Sequence, residues 1–323
     1  MPHILVAGRL HPAGAETLKA AKGITYHLVD EVSVESYVPL VGEADAVLLR
    51  TQPMTADIIA KAPKLKIVSR HGVGYDAVDV TALNARAIPL CIVGDVNSRA
   101  VAEHTLMLML SVARRAAAHD HASRTGNWNI RNAFETVELD GKTLLLMGFG
   151  RIGRRVGELA RAFGMRVMAH DPFIGVNAMA AARVEPASDV MAALARADYI
   201  SLHMPGSPKG ALIGAAALAA MKPTAILVNA ARGGLIDELA LDLALREGRL
   251  LGAGLDVLAS EPPAPDHPLL TNGRVTISPH SAGLTNECAA RMAIASVRNI
   301  LDYFDGKLDP ALVVNAGAIG FRS

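Results

Sequence analysis

Cysteine is nearly absent: Cys91 and Cys288 are the only two in 323 residues, with neither the number for a disulfide framework nor the spacing of a thiolate metal site. That excludes a disulfide-stapled secreted scaffold, gives no reason to expect a metal, and fits a reducing, cytoplasmic setting. Charge of one sign is also missing. Thirty-two basic residues stand against 31 acidic ones, a net charge of +1, so no overall field draws the chain to nucleic acid or to an anionic membrane. A small, locally charged ligand suits it better. No apolar run reaches the roughly 18 to 20 residues of a membrane helix without a charge or a breaker, and the richest, Leu106 to Ala113, reads as part of a buried helix. The opening MPHILVAGRL lacks the basic start and long apolar stretch of a signal peptide. Internal repeats, low-complexity tracts and flexible linkers are lacking too.

What is there is a globular composition, 51% hydrophobic and 20% charged, in a chain long enough for two domains with real cores. Short apolar runs at His3 to Ala7, Ala46 to Leu49 and Leu65 to Ser69 alternate with helical stretches and predict a βαβαβ unit with a parallel sheet. Ser98 to His119 carries no Gly or Pro and predicts one long helix, a joint between domains. A second series follows, with strands expected at Thr143 to Met147, Arg166 to Ala169, Tyr199 to Leu202, Ala225 to Asn229, Gly252 to Asp256 and Val275 to Ser278. Six strands in such a series suggest a doubly wound nucleotide-binding sheet. The last helical stretch, Asn286 to Tyr303, is expected to pack back on the first domain and make it discontinuous. The fold class is therefore α/β, with two Rossmann-like domains of doubly wound parallel sheet. Residues 1–98 with 286–323 form the expected substrate domain, and 99–285 the dinucleotide-binding domain.

The strand TLLLM runs straight into Gly148-Phe149-Gly150-Arg151-Ile152-Gly153, and the helical RRVGELARAF follows. In that context the glycines have separate jobs: Gly148 permits the tight turn, Gly150 lets backbone approach a pyrophosphate, and Gly153 allows close helix packing. Helix N-terminal amides then face the phosphates. About 20 residues on, the next strand ends in Asp171, where a carboxylate accepts both adenosine ribose hydroxyls and repels a 2′-phosphate. NAD is favoured over NADP.

Further strand ends carry reactive side chains, and open α/β sheets bind ligands beyond those ends. Arg232 follows the strand Ile226 to Asn229, Glu261 lies in a loop before Pro262 and Pro263, and His280 follows Pro279. Reducing a 2-keto acid needs a hydride donor, a cation that holds and polarises the substrate, and a proton donor working near neutral pH. Arginine's fork suits the second task and histidine the third. A neighbouring carboxylate orients such a ring and favours its protonated form, and Glu261 is the candidate neighbour.

Three stretches, Gly148 to Pro172, Ala197 to Pro205 (ADYISLHMP) and Met221 to Leu235 (MKPTAILVNAARGGL), are together far more specific than the glycine fingerprint. Through them the chain resembles the D-isomer-specific 2-hydroxyacid dehydrogenases over nearly its whole length. The resemblance implies that Arg232 binds and polarises the substrate, that His280 is the acid/base, and that Glu261 partners it. It further implies that Asp256 contacts the nicotinamide carboxamide, Asp171 the ribose, and Arg151 with Ile152 the pyrophosphate. Ala230, Ala231, His203, Pro205 and Gly283 would complete the cofactor pocket. The Val73 and Gly74 amides, in Ser69-Arg70-His71-Gly72-Val73-Gly74, would take the substrate carboxylate. Arg50, Arg70, His71 and Trp128 are candidates for the substrate end. A homodimer built on the dinucleotide-binding domains, and closure of a cleft around the substrate, are implied as well.

Two departures limit the likeness. Gly210 stands where many relatives carry a hydroxyl residue, and the chain closes at Ser323 without the regulatory extension of some phosphoglycerate dehydrogenases, so feedback through such a domain is not expected. Among rivals, the family's formate enzymes have glutamine where Glu261 stands. L-lactate-type enzymes carry their fingerprint near the N-terminus, not after a complete domain. An NAD-sensing co-repressor of the same build would keep the catalytic group, but the chain has no appended basic or disordered arm.

Overall fold

The computed structural model describes residues 1–206 and 210–322. The chain divides into two compact units, Met1–Asn97 with Leu284–Ser323, and Ser98–Gly283. The first holds β1 (His3–Ala7), β2 (Thr25–Val29), β3 (Ala46–Leu49), β4 (Ile67–Arg70) and β5 (Leu90–Cys91), paired throughout in parallel in the order β2-β1-β3-β4-β5. β1 and β3 are apolar and buried because helices cover both faces of a parallel sheet. β2 had escaped the sequence reading, as had the two-residue β5. β2 is an edge strand whose TYHLV is largely exposed, so neither an apolar run nor an alternation marks it.

The helix Asn286–Phe304 belongs to this first unit, which makes the unit discontinuous in sequence. Thr285 caps it by accepting the Cys288 N–H at 3.1 Å. Two polar anchors tie it to the sheet region: the Ser69 hydroxyl donates to the Ser296 carbonyl at 2.9 Å, and Asn299 Nδ2 donates to the Ile92 carbonyl at 3.0 Å.

The second unit holds β6 (Thr143–Met147), β7 (Arg166–His170), β8 (Glu185–Pro186), β9 (Tyr199–Leu202), β10 (Ile226–Asn229), β11 (Gly252–Leu255) and β12 (Val275–Ile277). Its seven strands are parallel, in the order β12-β11-β10-β9-β6-β7-β8. The order reverses between β6 and β9, and a crevice opens at such a switch point beyond the carboxyl ends. Strand alternation splits the core in two. Leu144 and Leu146 join Leu106, Met109 and Val156 on one face, while Leu145 and Met147 join Leu218 and Leu241 on the other.

One expected element is corrected. The long helix from Ser98 ends at Ala113, and a second helix, Ala116–Arg124, begins after Arg115 turns left-handed at φ 48°. Helix propensity favoured continuation, but the Ala113 carbonyl takes the Val137 N–H at 2.9 Å instead of a helical partner. Arg115 also pairs with Glu135. Both contacts come from a segment some 20 residues away in sequence, invisible to local pattern. Among the described residues no helix is long and apolar enough to cross a membrane.

Candidate active site

Because β6, β7, β9, β10, β11 and β12 run parallel, the segments that follow them emerge at one edge of the second unit's sheet. Gly148, Asp171, His203, Ala230, Asp256 and Ser278 are the first residues past those strands.

Gly148 sits at φ 97°, and a Cβ there would overlap the His203 carbonyl. Gly153 is equally constrained, since its Cβ would overlap the Gly148 carbonyl. Gly150 differs: nothing lies within 4 Å of where its Cβ would be. It also begins the helix Arg151–Ala162 with no side chain capping the first turn. Two glycines are thus needed to bring strand and helix together, and the third leaves open space beside uncapped amides. That is the arrangement a pyrophosphate requires.

Asp171 lies across from this turn. Its Oδ2 accepts the Phe149 N–H at 2.8 Å and its Oδ1 the Phe173 N–H at 2.9 Å. Each oxygen keeps acceptor capacity for a diol. His203 Nε2 lies 2.9 Å from the Ser201 hydroxyl, while Nδ1 is buried without a partner among the described residues. Burial pushes its pKa down to about 3, so the ring is neutral. Pro205 is exposed two residues on.

At the end of β10 the fully buried Asn229 builds the turn that presents Arg232. Its Oδ1 accepts the Ala231 N–H at 3.0 Å and its Nδ2 donates to the Arg232 carbonyl at 2.7 Å. Ala230, Ala231 and Arg232 are half-buried, and Arg232 Nη1 donates to the Ala231 carbonyl at 2.7 Å. Gly233 then packs so tightly on Leu258 and Ala259 that a Cβ would overlap the Leu258 carbonyl. The loop after β11 is fastened further by Glu238, whose Oε1 accepts the Ala259 N–H at 2.6 Å while Oε2 lies 3.0 Å from His267 Nε2.

That loop carries Glu261. Its Oε1 accepts the Leu258 N–H at 3.1 Å, and its Oε2 lies 2.6 Å from His280 Nδ1. The histidine side chain is 55% exposed and the glutamate 38%. Facing a carboxylate, Nδ1 carries the hydrogen, which leaves Nε2 to exchange a proton. His280 holds φ 50°, a conformation that a non-glycine residue keeps only under the constraint of its surroundings.

Asp256 supplies much of that constraint. Its side chain is 1% exposed. Oδ1 accepts the Ser278 hydroxyl at 2.6 Å and the Ser281 N–H at 2.9 Å, Oδ2 accepts the Ala282 N–H at 3.0 Å, and its carbonyl accepts the His280 N–H at 2.8 Å. Burial alone would raise its pKa. Hydrogen bonds from His104, Ser278, Ala282 and Ser281 outweigh burial and hold the carboxyl below the usual range, so it stays ionised. Both adjoining strands were expected to run one residue further, to Asp256 and Ser278. They stop at Leu255 and Ile277, because these two polar side chains bond each other at the strand tips. Gly283 follows Ala282, half-buried.

In the first unit, Val73 and Gly74 lie half-buried in the loop after β4. Arg70 holds that loop: Nε donates to the Gly74 carbonyl at 2.8 Å, and Nη1 to the carbonyls of Leu49, at 3.0 Å, and Arg50. His71 is buried, and its Nε2 has no partner among the described residues. Burial first, and then the Arg50 charge, push its pKa down to about 4. Arg50 donates to the Arg9 carbonyl at 3.1 Å. Trp128, in the second unit, is 66% exposed.

The sequence reading missed Asn229 and Glu238, which fasten the backbones of the loops after β10 and β11, and Ser278, whose hydroxyl bonds the Asp256 carboxylate. For Asn229 a signal was available: a polar residue closing an apolar strand, immediately before Ala-Ala-Arg-Gly-Gly.

Residues 106–282 match the family described as D-isomer specific 2-hydroxyacid dehydrogenase, NAD binding domain. The chain belongs to this family. It is 38% identical to a D-3-phosphoglycerate dehydrogenase of Methanocaldococcus jannaschii over 95% of its own length, and spans 58% of that relative. It is 36% identical to a glyoxylate reductase of Aeropyrum pernix, covering 97% of this chain and 96% of that one. Among solved structures, the TT0316 protein of Thermus thermophilus superposes with a TM-score of 0.88 at 33% identity, covering 95% of this chain and 98% of that one.

Proposed function

We propose that the chain is an NAD-dependent dehydrogenase that interconverts a small D-2-hydroxy acid and its 2-keto acid. The observation that carries this reading is the 2.6 Å contact between His280 Nδ1 and Glu261, on the same sheet edge as the glycine cradle and Arg232. It is supported by the match to an NAD-binding domain and by relatives named for such substrates.

When bound, the nicotinamide dinucleotide supplies or accepts a hydride at the substrate's C2. The remaining work belongs to the chain. Arg232 holds the substrate carboxylate and polarises the carbonyl. In the reducing direction His280 gives the Nε2 proton to the carbonyl oxygen, and in the oxidising direction Nε2 takes it back. Glu261 fixes the tautomer and faces the ring as its charge changes. Arg151, Ile152, Ala230, Ala231, Pro205 and Gly283 are assigned to the cofactor together with Gly148, Gly150, Gly153, Asp171 and His203. Asp256 is assigned to the nicotinamide carboxamide as well as to the loop it holds, since Oδ2 accepts only the Ala282 N–H and keeps acceptor capacity. The carboxylate at 171 favours NAD over NADP. A homodimer through the second unit is part of the same proposal, in keeping with exposed Met107 and Phe163 on that unit.

The test is NADH oxidation with 3-phosphohydroxypyruvate, glyoxylate, hydroxypyruvate and pyruvate. Rapid turnover of one supports the reading and names the substrate. Measurable NADH binding with no turnover of any would favour an NAD-sensing, co-repressor-like role.

A further inference from the structure

β11 reads Gly-Ala-Gly-Leu and is followed by Asp256. Its alternate residues Gly252, Gly254 and Asp256 point to one face, opposite Ala253 and Leu255, which join the other core cluster. The helix Ser98–Ala113 lies along that face. A Cβ on Gly252 would meet Val112 Cγ1 at 2.5 Å, and one on Gly254 would meet Leu108 Cβ at 2.9 Å. Positions 112, 108 and 104 form one stripe, four residues apart, and the register continues: Val112 over Gly252, Leu108 over Gly254, His104 over Asp256. Missing side chains on the strand let the helix lie close enough for an imidazole to reach the strand's polar tip.

The hydrogen bonds at that tip define the direction. Ser278 has a single hydroxyl hydrogen, and it goes to Asp256 Oδ1 at 2.6 Å. The His104 ring, 16% exposed, places Nε2 at 2.7 Å from the Ser278 hydroxyl and 3.3 Å from Asp256 Oδ1. Nε2 must therefore be the donor. We infer that His104 is a positioning residue for the proposed reaction: through Ser278 and Asp256 it holds the loop 278–282 in the shape that aims the left-handed His280 at the substrate. It touches neither substrate nor cofactor. Its effect runs through two hydrogen bonds to a buried carboxylate, and from that carboxylate to the Ser281 and Ala282 amides.

The inference rests on the dehydrogenase reading, and the experiment keeps the two apart. His104→Ala, His104→Gln, Ser278→Ala and the His104→Ala/Ser278→Ala double variant are compared with the parent for kcat, for KM toward NADH and keto acid, and for the His280 ring resonance in NMR spectra. A misplaced acid/base costs about tenfold or more, so kcat of His104→Ala should fall roughly tenfold with both KM values within about twofold. His104→Gln, which keeps a donor, should restore most of it. The double variant should lose little more than either single one, because the two residues act in one chain. The His280 resonance should move in His104→Ala and return toward its parent position in His104→Gln. Unchanged kcat with an unmoved resonance, equal impairment of the Ala and Gln variants, or losses that simply multiply would overturn the inference. Should the parent turn over no keto acid, the reaction reading fails, while the resonance still decides whether His104 holds His280.

Discussion

The buried His203 ring gives a stability prediction whose size follows from the structure. Its pKa is pushed down to about 3 by burial, against an ordinary value of 6.5. The folded protein therefore binds fewer protons at this site than the unfolded chain wherever the pH lies between those values. Stability is fully present above 6.5 and drains away as the pH falls toward the folded value. From pH 7.5 to pH 5.0 the unfolded ring gains its proton while the folded one stays neutral, a loss of about 2 kcal/mol at 1.36 kcal/mol per unit below 6.5. His71, pushed to about 4, contributes a similar loss in the first unit. His203→Gln keeps a hydrogen-bonding group near Ser201 and removes the titration. Urea unfolding at the two pH values, followed by Trp128, the only tryptophan and a residue of the second unit, should show the parent losing about 2 kcal/mol more than the variant across this window. Equal losses would mean that His203 is protonated in the folded state. A charged ring would then sit beside the proposed cofactor site, and the reasoning from its burial would be wrong.

Three further outcomes are expected. His280→Ala should nearly abolish turnover while leaving NADH binding, read by fluorescence titration, close to the parent value. Preserved activity at neutral pH would remove His280 from its assigned role. Asp171→Ala should raise the KM for NADH by about tenfold or more, since hydrogen bonds to a charged group are lost, and should improve NADPH relative to NADH; an unchanged preference counts against the ribose contact. Gly233→Ala forces a methyl onto the Leu258 carbonyl and should cost about 1–3 kcal/mol in thermal or urea unfolding. It should also reduce kcat, and a variant with parental stability would show that the two loops do not press together as described.

The second unit was the more legible in the sequence, because its buried parallel strands are continuous apolar runs. TLLLM and ILVN are buried at every position. The exposed edge strand β2 and the break at Arg115 were not legible: the first lacks a pattern, and the second depends on Val137 and Glu135, distant in sequence. The candidate reactive residues stood out because a cation, a carboxylate and an imidazole follow successive strand ends, and the structure brings Glu261 and His280 into contact across 19 positions. What sequence could not reveal was the support beneath them. Glu238 and Asp256 act through backbone amides, and Ser278 and His104 through their side-chain bonds at the Asp256 carboxylate; such partners become visible only when the chain is folded.

That support explains why an exposed histidine can be held in an uncommon backbone conformation. Arg232, Glu261 and His280 come from three separate loops, and each loop alone would be free to move. The first two press together at Gly233 and Leu258, where no side chain intervenes. Glu238 ties the second to the helix Glu238–Arg246 through the Ala259 amide. Asp256 begins that second loop and takes the amides of the third. The Glu261 and His280 side chains are partly exposed, so their placement is set by these backbone attachments. Proton transfer tolerates little displacement, and in the proposed reaction rigid attachment of the backbone would leave the exposed imidazole free to meet its substrate without first being ordered by it.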